Sequence, residues 1–225
     1  MKKLAFSVFA AALAFGADAV ERVETTAAET ESCSGYDGFY LGVGVAVVND
    51  GYVVEDRFPS EIEKGSDYKT KLAASLALGF GGRIKEKAYL GLEAGLDASQ
   101  NSEYDDGNIR IGGLLPSVAL KIGFIHPETR SMGYLKAGAA YSRTKRIDDD
   151  TSAVFHSCRW SPIVALGAEK LFGKNVRTRF EAEYRFRTNK TFNDVVNEDK
   201  KVGSFKLTNR GAVTLRAMAI YTIKK

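Results

Sequence analysis

Residues 177–187 read RTRFEAEYRFR, and charged and apolar positions alternate there without a break. Arg177, Arg179, Glu181, Glu183, Arg185 and Arg187 share one parity; Thr178, Phe180, Ala182, Tyr184 and Phe186 share the other. Period two is the mark of a β-strand with two unlike faces. Which of the two meets water decides the fold. A soluble protein buries the phenylalanines and solvates the charges. A ring of strands in lipid does the reverse.

The same pattern recurs along the chain. Eight strand-like segments follow residue 38, at roughly 39–48, 69–82, 87–98, 109–124, 133–144, 159–172, 176–187 and 211–223. Their connections alternate in length. Residues 83–86, 125–132 and 173–175 make short turns, whereas 49–68, 99–108, 145–158 and 188–210 are long and polar. Short turns at one end and long loops at the other predict an all-β, up-and-down antiparallel barrel of eight transmembrane strands. A soluble meander has no reason to gather its long loops on one side.

The faces agree with that architecture. In FYLGVGVAVV, Phe39, Leu41, Val43, Val45 and Val47 oppose Gly42, Gly44 and Ala46. In KLAASLALGF, Leu72, Leu76, Leu78 and Phe80 oppose Ala73, Ser75, Ala77 and Gly79. In AYLGLEAGLDA, Leu90, Leu92 and Leu96 oppose Gly91, Glu93, Gly95 and Asp97. A wetted sheet face favours Thr, Lys and Gln, because Gly weakens a strand. A narrow lumen instead needs small residues between a few long ones. The predicted inward charges are Lys71, Glu93, Lys121, Lys136, Glu169, Arg177, Arg179, Glu181, Glu183, Arg185 and Arg216.

Aromatic residues cluster at segment ends. Phe39, Phe80, Phe124, Phe172 and Tyr221 lie at the short-turn ends, and Tyr141, Trp160, Tyr184 and Phe186 at the long-loop ends. Two aromatic girdles around an aliphatic belt match the two interfaces of a membrane.

Composition narrows the remaining possibilities. The 225 residues suit one large barrel. Their net charge of +4, with no basic run carrying interleaved aromatics, gives no footprint for a nucleic-acid partner. No apolar run reaches the ~18–20 residues of a membrane helix. Lys2 and Lys3, an apolar stretch to Phe15 and the small residues Ala17 and Ala19 predict an export signal over residues 1–19, cleaved between Ala19 and Val20. Residues 20–37, rich in Glu, Thr and Ala, predict a flexible periplasmic lead, and 38–225 the barrel.

These features resemble the eight-stranded outer-membrane β-barrel family, the opacity-type surface proteins. The likeness rests on GFYLGVGVAV, on GLEAG at 91–95, on RFEAEYRF at 179–186 and on the overall layout, with Tyr221-Thr222-Ile223 placing Ile where the family favours a final aromatic residue. It implies a bacterial outer-membrane location and insertion by the barrel-assembly machinery. It also implies contact with outer-membrane lipids and lipopolysaccharide, and exposed loops that act in adhesion, surface recognition or envelope integrity through a ligand of unknown identity.

No cofactor or metal motif is present, and the protein is expected not to be an enzyme. The alternative, a lipid A-modifying enzyme, would draw on His156 and Ser157 near Trp160 with Asp148, Asp149 and Asp150; His126 sits in the turn IHPETR. The acidic positions Asp105, Asp106 and 148–150 could gather divalent cations, though solvated loop charge is the plainer account. Arg185, Arg187, Lys190, Lys200, Lys201 and Arg210 flank the last loop, within reach of lipid phosphates. A soluble periplasmic lipocalin-like carrier is the other alternative, and it requires a polar exterior. Cys33 precedes the first strand and Cys158 the sixth, at opposite ends of a belt ~25 Å tall. A disulfide needs Cα atoms within ~7 Å, so no intramolecular bond is expected.

Overall fold

The computed structural model describes residues 34–58, 61–84, 87–104, 109–111, 113–147, 154–196, 202–209 and 211–223. The export signal with its Ala19–Val20 junction, Cys33 and Asp105, Asp106, Asp148–Asp150, Lys200, Lys201 and Arg210 lie outside them.

Eight strands form the barrel: β1 (Gly38–Phe58), β2 (Glu61–Arg83), β3 (Ala88–Ser99), β6 (Leu114–His126), β7 (Ser131–Ile147), β8 (Val154–Phe172), β9 (Val176–Arg185) and β12 (Ala212–Ile223). Each pairs antiparallel with its neighbours in the order β1-β12-β9-β8-β7-β6-β3-β2, and the β2–β1 pairing closes the ring. A closed ring leaves no free sheet edge along its shared height.

The long connections are largely built rather than loose. β1 and β2, 21 and 23 residues long, stay in register from Gly38↔Gly81 to Phe58↔Glu61, through the stretch expected to be a loop. At ~3.3 Å per residue such strands reach well past the ~25 Å apolar height of a barrel. Residues 188–210, also expected as a loop, hold a hairpin, β10 (Thr188–Val196) and β11 (Val202–Asn209), whose second strand pairs with the far half of β1. The segment expected at 109–124 is broken. β5 (Ile109–Ile111) leaves to pair with β4 (Ser102–Tyr104) and β7, and β6 begins only after Gly113. The amide of Gly113 donates to Asn101 Oδ1 at 2.8 Å and its carbonyl accepts from Ser99 N at 2.8 Å.

Polarity is inverted relative to a soluble domain. Outward side chains such as Val45, Leu72, Leu78, Leu92, Ile122 and Phe180 are exposed, while charged groups line the inside. All nine girdle residues face outward: eight are exposed and Tyr141 is partly so. Phe39 packs on Phe80 with ring centroids 4.8 Å apart, Tyr141 on Trp160 at 5.6 Å and Tyr184 on Phe186 at 5.1 Å. A lipocalin-like carrier would have these faces exchanged.

Ser34–Asp37, expected to belong to the flexible lead, instead forms part of the fold. A 3-10 turn at Ser34–Tyr36 tucks under the short-turn end, and Tyr36 is fully buried. Its hydroxyl donates to Arg130 O at 3.0 Å, and Thr222 Oγ1 donates to Gly35 O at 2.7 Å. Asp37 accepts from Arg83 Nε at 2.9 Å. Tyr36 joins Tyr89, Ile125, Met132, Tyr134 and Leu171 in an apolar floor.

Candidate functional site

The lumen is the most heavily built region of the molecule. On β9 the alternation places Arg177, Arg179, Glu181, Glu183 and Arg185 inside, each at most 7 % exposed. Arg187 shares their parity in the sequence, yet both β9 ladders end at Arg185. There Phe186 N bonds Pro162 O and the chain departs toward β10, so Arg187 is exposed.

Near the floor, Glu169 of β8 accepts from three cations. Lys121 Nζ reaches Oε1, Arg179 Nε reaches the same oxygen at 2.8 Å and Arg177 Nη1 reaches Oε2 at 2.9 Å. Aromatic faces surround these cations. Lys121 Nζ lies 4.2 Å from the Tyr134 ring centroid, and the Arg177 guanidinium stands 5.1 and 5.0 Å from those of Tyr36 and Tyr40. Desolvated cations gain from such faces. Glycine makes room for the rings: a Cβ on Gly79 would collide with Tyr40, and one on Gly167 with Tyr134.

Glu93 links this tier to the next. It accepts from Tyr40 Oη at 2.7 Å and Lys136 Nζ at 3.1 Å and forms an ion pair with Arg179 Nη2 at 2.7 Å. Above it, Glu181 accepts from Lys136 at 2.7 Å, Tyr134 Oη at 2.6 Å and Arg216 Nη1 at 2.7 Å. Arg216 also holds Glu183 at 2.9 Å and Asp97 at 2.5 Å, and Ser75 Oγ donates to Asp97 at 2.5 Å. Toward the open end Lys71 pairs with Asp50 at 2.9 Å.

The structure thus brings Glu93, Lys121, Lys136, Glu169, Arg177, Arg179, Glu181, Glu183 and Arg216 into one continuous network, and pairs Lys71 with Asp50. Arg185 is buried in the upper lumen, and its Nε has no hydrogen-bond partner. Sequence reasoning put Asp97 on the inward face without naming it among the lumen charges, and missed Asp50 and the tyrosines 36, 40, 89 and 134. Parity with Glu93 in AYLGLEAGLDA carried the signal for Asp97. Tyr40 likewise shares the parity of Gly42 and Gly44. Nothing periodic marks Tyr36.

Buried charges of both signs, paired this densely, rigidify the interior. Of the residues weighed for an enzyme, His156, Ser157, Trp160 and His126 lie among the described residues. His156 is exposed and Ser157 buried, so the pleat sends them to opposite faces. His126 is exposed at the end of β6. Cys158 is a free, exposed thiol.

The sequence matches no protein-family model and no curated protein. The fold is similar to that of the outer membrane protein OprG from Pseudomonas aeruginosa, at 13 % identity and a TM-score of 0.52, over 84 % of this chain and 98 % of that one. Lower scores relate it to Ail, the attachment invasion locus protein of Yersinia pestis (11 % identity, 82 % of this chain and 99 % of that one, TM-score 0.43), and to Neisserial surface protein A (12 %, 80 % and 97 %, 0.41). The chain has the fold of the eight-stranded outer-membrane β-barrels.

Proposed function

We propose that the protein is a bacterial outer-membrane surface protein. Its barrel is a sealed anchor, and its work is done at the long-loop end, in adhesion, surface recognition or envelope integrity. The observation that carries this is the sorting of β9. Phe180 and Tyr184 are exposed on the outside while Arg179, Glu181 and Glu183 are buried in ion pairs on the inside. In water that arrangement leaves a broad apolar band uncovered; in a bilayer it satisfies both faces.

The lumen supports the anchor role over transport. Glu169, Glu93 and Glu181 each hold two or more cations, and Tyr36 closes the floor beneath them. The projecting hairpins β1–β2 and β10–β11 give the far end a paired β scaffold on which contact surfaces can be held rigidly.

The test is fractionation with bilayer recording. The protein is expected to partition with outer membranes and to change gel mobility on boiling. In planar bilayers it should show no large, steady conductance. Recovery from the soluble periplasm contradicts the location; a stable open channel contradicts the sealed lumen.

A further inference from the structure

Among the buried charges described in the lumen, Arg185 alone forms no ion pair. Asp50, Glu93, Asp97, Glu169, Glu181 and Glu183 are each held by other cations. Arg185 is 7 % exposed, and its Nε has no hydrogen-bond partner. The residues directly opposite it, Ile163 on β8 and Ala212 on β12, carry no acceptor in their side chains. The charges that act on it from nearby are the carboxylates of Glu183, Asp50 and Asp97 and the guanidinium of Arg216. Arg216 already grips Glu183 and Asp97, and Lys71 grips Asp50.

Both β9 ladders end at Arg185, so it is the last inward position before the chain leaves for β10. The charge network lies below it and the long-loop end above. Hydroxyls occupy the next inward positions. Thr214 stands opposite Glu183, one inward step below, and Ser161, one inward step above Ile163, meets Thr188 Oγ1 at 3.3 Å. Arg159 continues the inward parity of Ser157 and Ser161 and is partly exposed. At ~3.4 Å per residue it stands about 14 Å above the level of Ile163, on the approach from outside.

A buried guanidinium with no counter-charge is costly, and an anion that enters to meet it recovers that cost. We propose that Arg185 anchors a site in the upper lumen for the carboxylate of a small monoanionic organic acid, admitted from the long-loop end. The guanidinium fork takes both carboxylate oxygens, with the Ser161 and Thr214 hydroxyls as further donors. A carboxylate fits better than a phosphate dianion. One positive charge is open at this level, and a second negative charge would face Glu183, Asp50 and Asp97. The site rests on the outer-membrane reading above, which gives the upper lumen its exit to the outside, and does not depend on what the loops bind.

The probe is acetate, followed by NMR on isotope-labelled protein refolded in phosphocholine micelles. The signals read are the Arg185 Nε–H and the backbone amides of Ile163 and Ala212. Acetate should move all three saturably. Acetamide, its uncharged isostere, and chloride at matched ionic strength should move none, and inorganic phosphate should need a concentration about tenfold higher or more. Arg185→Gln should abolish the response at Ile163 and Ala212. Arg185→Lys keeps the charge without the fork and should weaken binding about tenfold. Arg187→Gln, at an exposed position just past the ladder, should leave it unchanged. In urea, Arg185→Gln should unfold no earlier than the parent, because no carboxylate loses its partner.

Silence of the parent protein toward acetate, an equal response to acetamide, chloride or phosphate, or full acetate binding by Arg185→Gln overturns the site. Earlier unfolding of Arg185→Gln also overturns it, by revealing a partner that the guanidinium already serves. The gel shift on heating, run on the same samples, separates two failures. A barrel that shifts yet ignores acetate overturns this site alone. A chain that never shifts overturns the outer-membrane reading and this site with it.

Discussion

From Leu72 to Phe80, β2 alternates strictly: Leu72, Leu76, Leu78 and Phe80 are exposed while Ala73, Ser75, Ala77 and Gly79 are buried. From Gly65 to Thr70 every residue of the same strand is exposed. Both halves pair with β1 along one unbroken ladder. What changes is the surroundings: β3 joins only from Ala73 downward, and the lumen charges lie beside the lower half alone. The pleat gives a strand two faces, but only an asymmetric environment makes the sequence use them differently.

That difference can be broken by substitution, and the largest effect is expected inside the lower half. Glu181→Ala leaves Lys136, Arg216 and Tyr134 without a shared acceptor in a buried site. It should destabilise the barrel by about 3–5 kcal/mol, measured by urea unfolding in lipid vesicles. A soluble barrel with the opposite facing would solvate Glu181 and lose no more than ~0.5 kcal/mol.

Next comes the outer face. Leu76→Arg sets a charge in the apolar belt and should cost ~2–4 kcal/mol, and Phe180→Arg the same. Ser66→Arg, ten positions up the same strand, should stay within ~0.5 kcal/mol. Equal losses at Leu76 and Ser66 would erase the distinction between the halves. Smallest among the belt changes is Phe180→Leu, which keeps the outward surface apolar and should cost under ~1.5 kcal/mol; a loss as large as that of Phe180→Arg would show that the phenyl ring fills a packed core.

The same contrast explains what was legible in the sequence. Where the two environments differ, alternation in 39–47, 72–80, 90–97 and 177–185 reports strand, face and lumen together. Beyond the belt the contrast between faces fades, with every residue from 65 to 70 exposed, so the strand halves at 49–58 and 61–68 and the hairpin at 188–209 carry no apolar period and look like loops. The ladder there is held by backbone bonds, which leave no trace in side-chain polarity. Tyr36 was illegible for another reason: it is held by single hydrogen bonds and ring contacts rather than by a repeat. Arg187 kept the parity of its neighbours but lies past the point where the ladder stops.

In a bilayer the phenylalanine side of RTRFEAEYRFR is expected to face lipid. Placing the only tryptophan there tests it directly, using Phe180→Trp in a Trp160→Phe background, reconstituted into bilayers of lipids brominated at mid-chain. Strong quenching by the bromolipid, with little by aqueous iodide, is the predicted result. Emission that iodide quenches and bromolipid does not would place Phe180 away from the acyl chains and turn the barrel inside out.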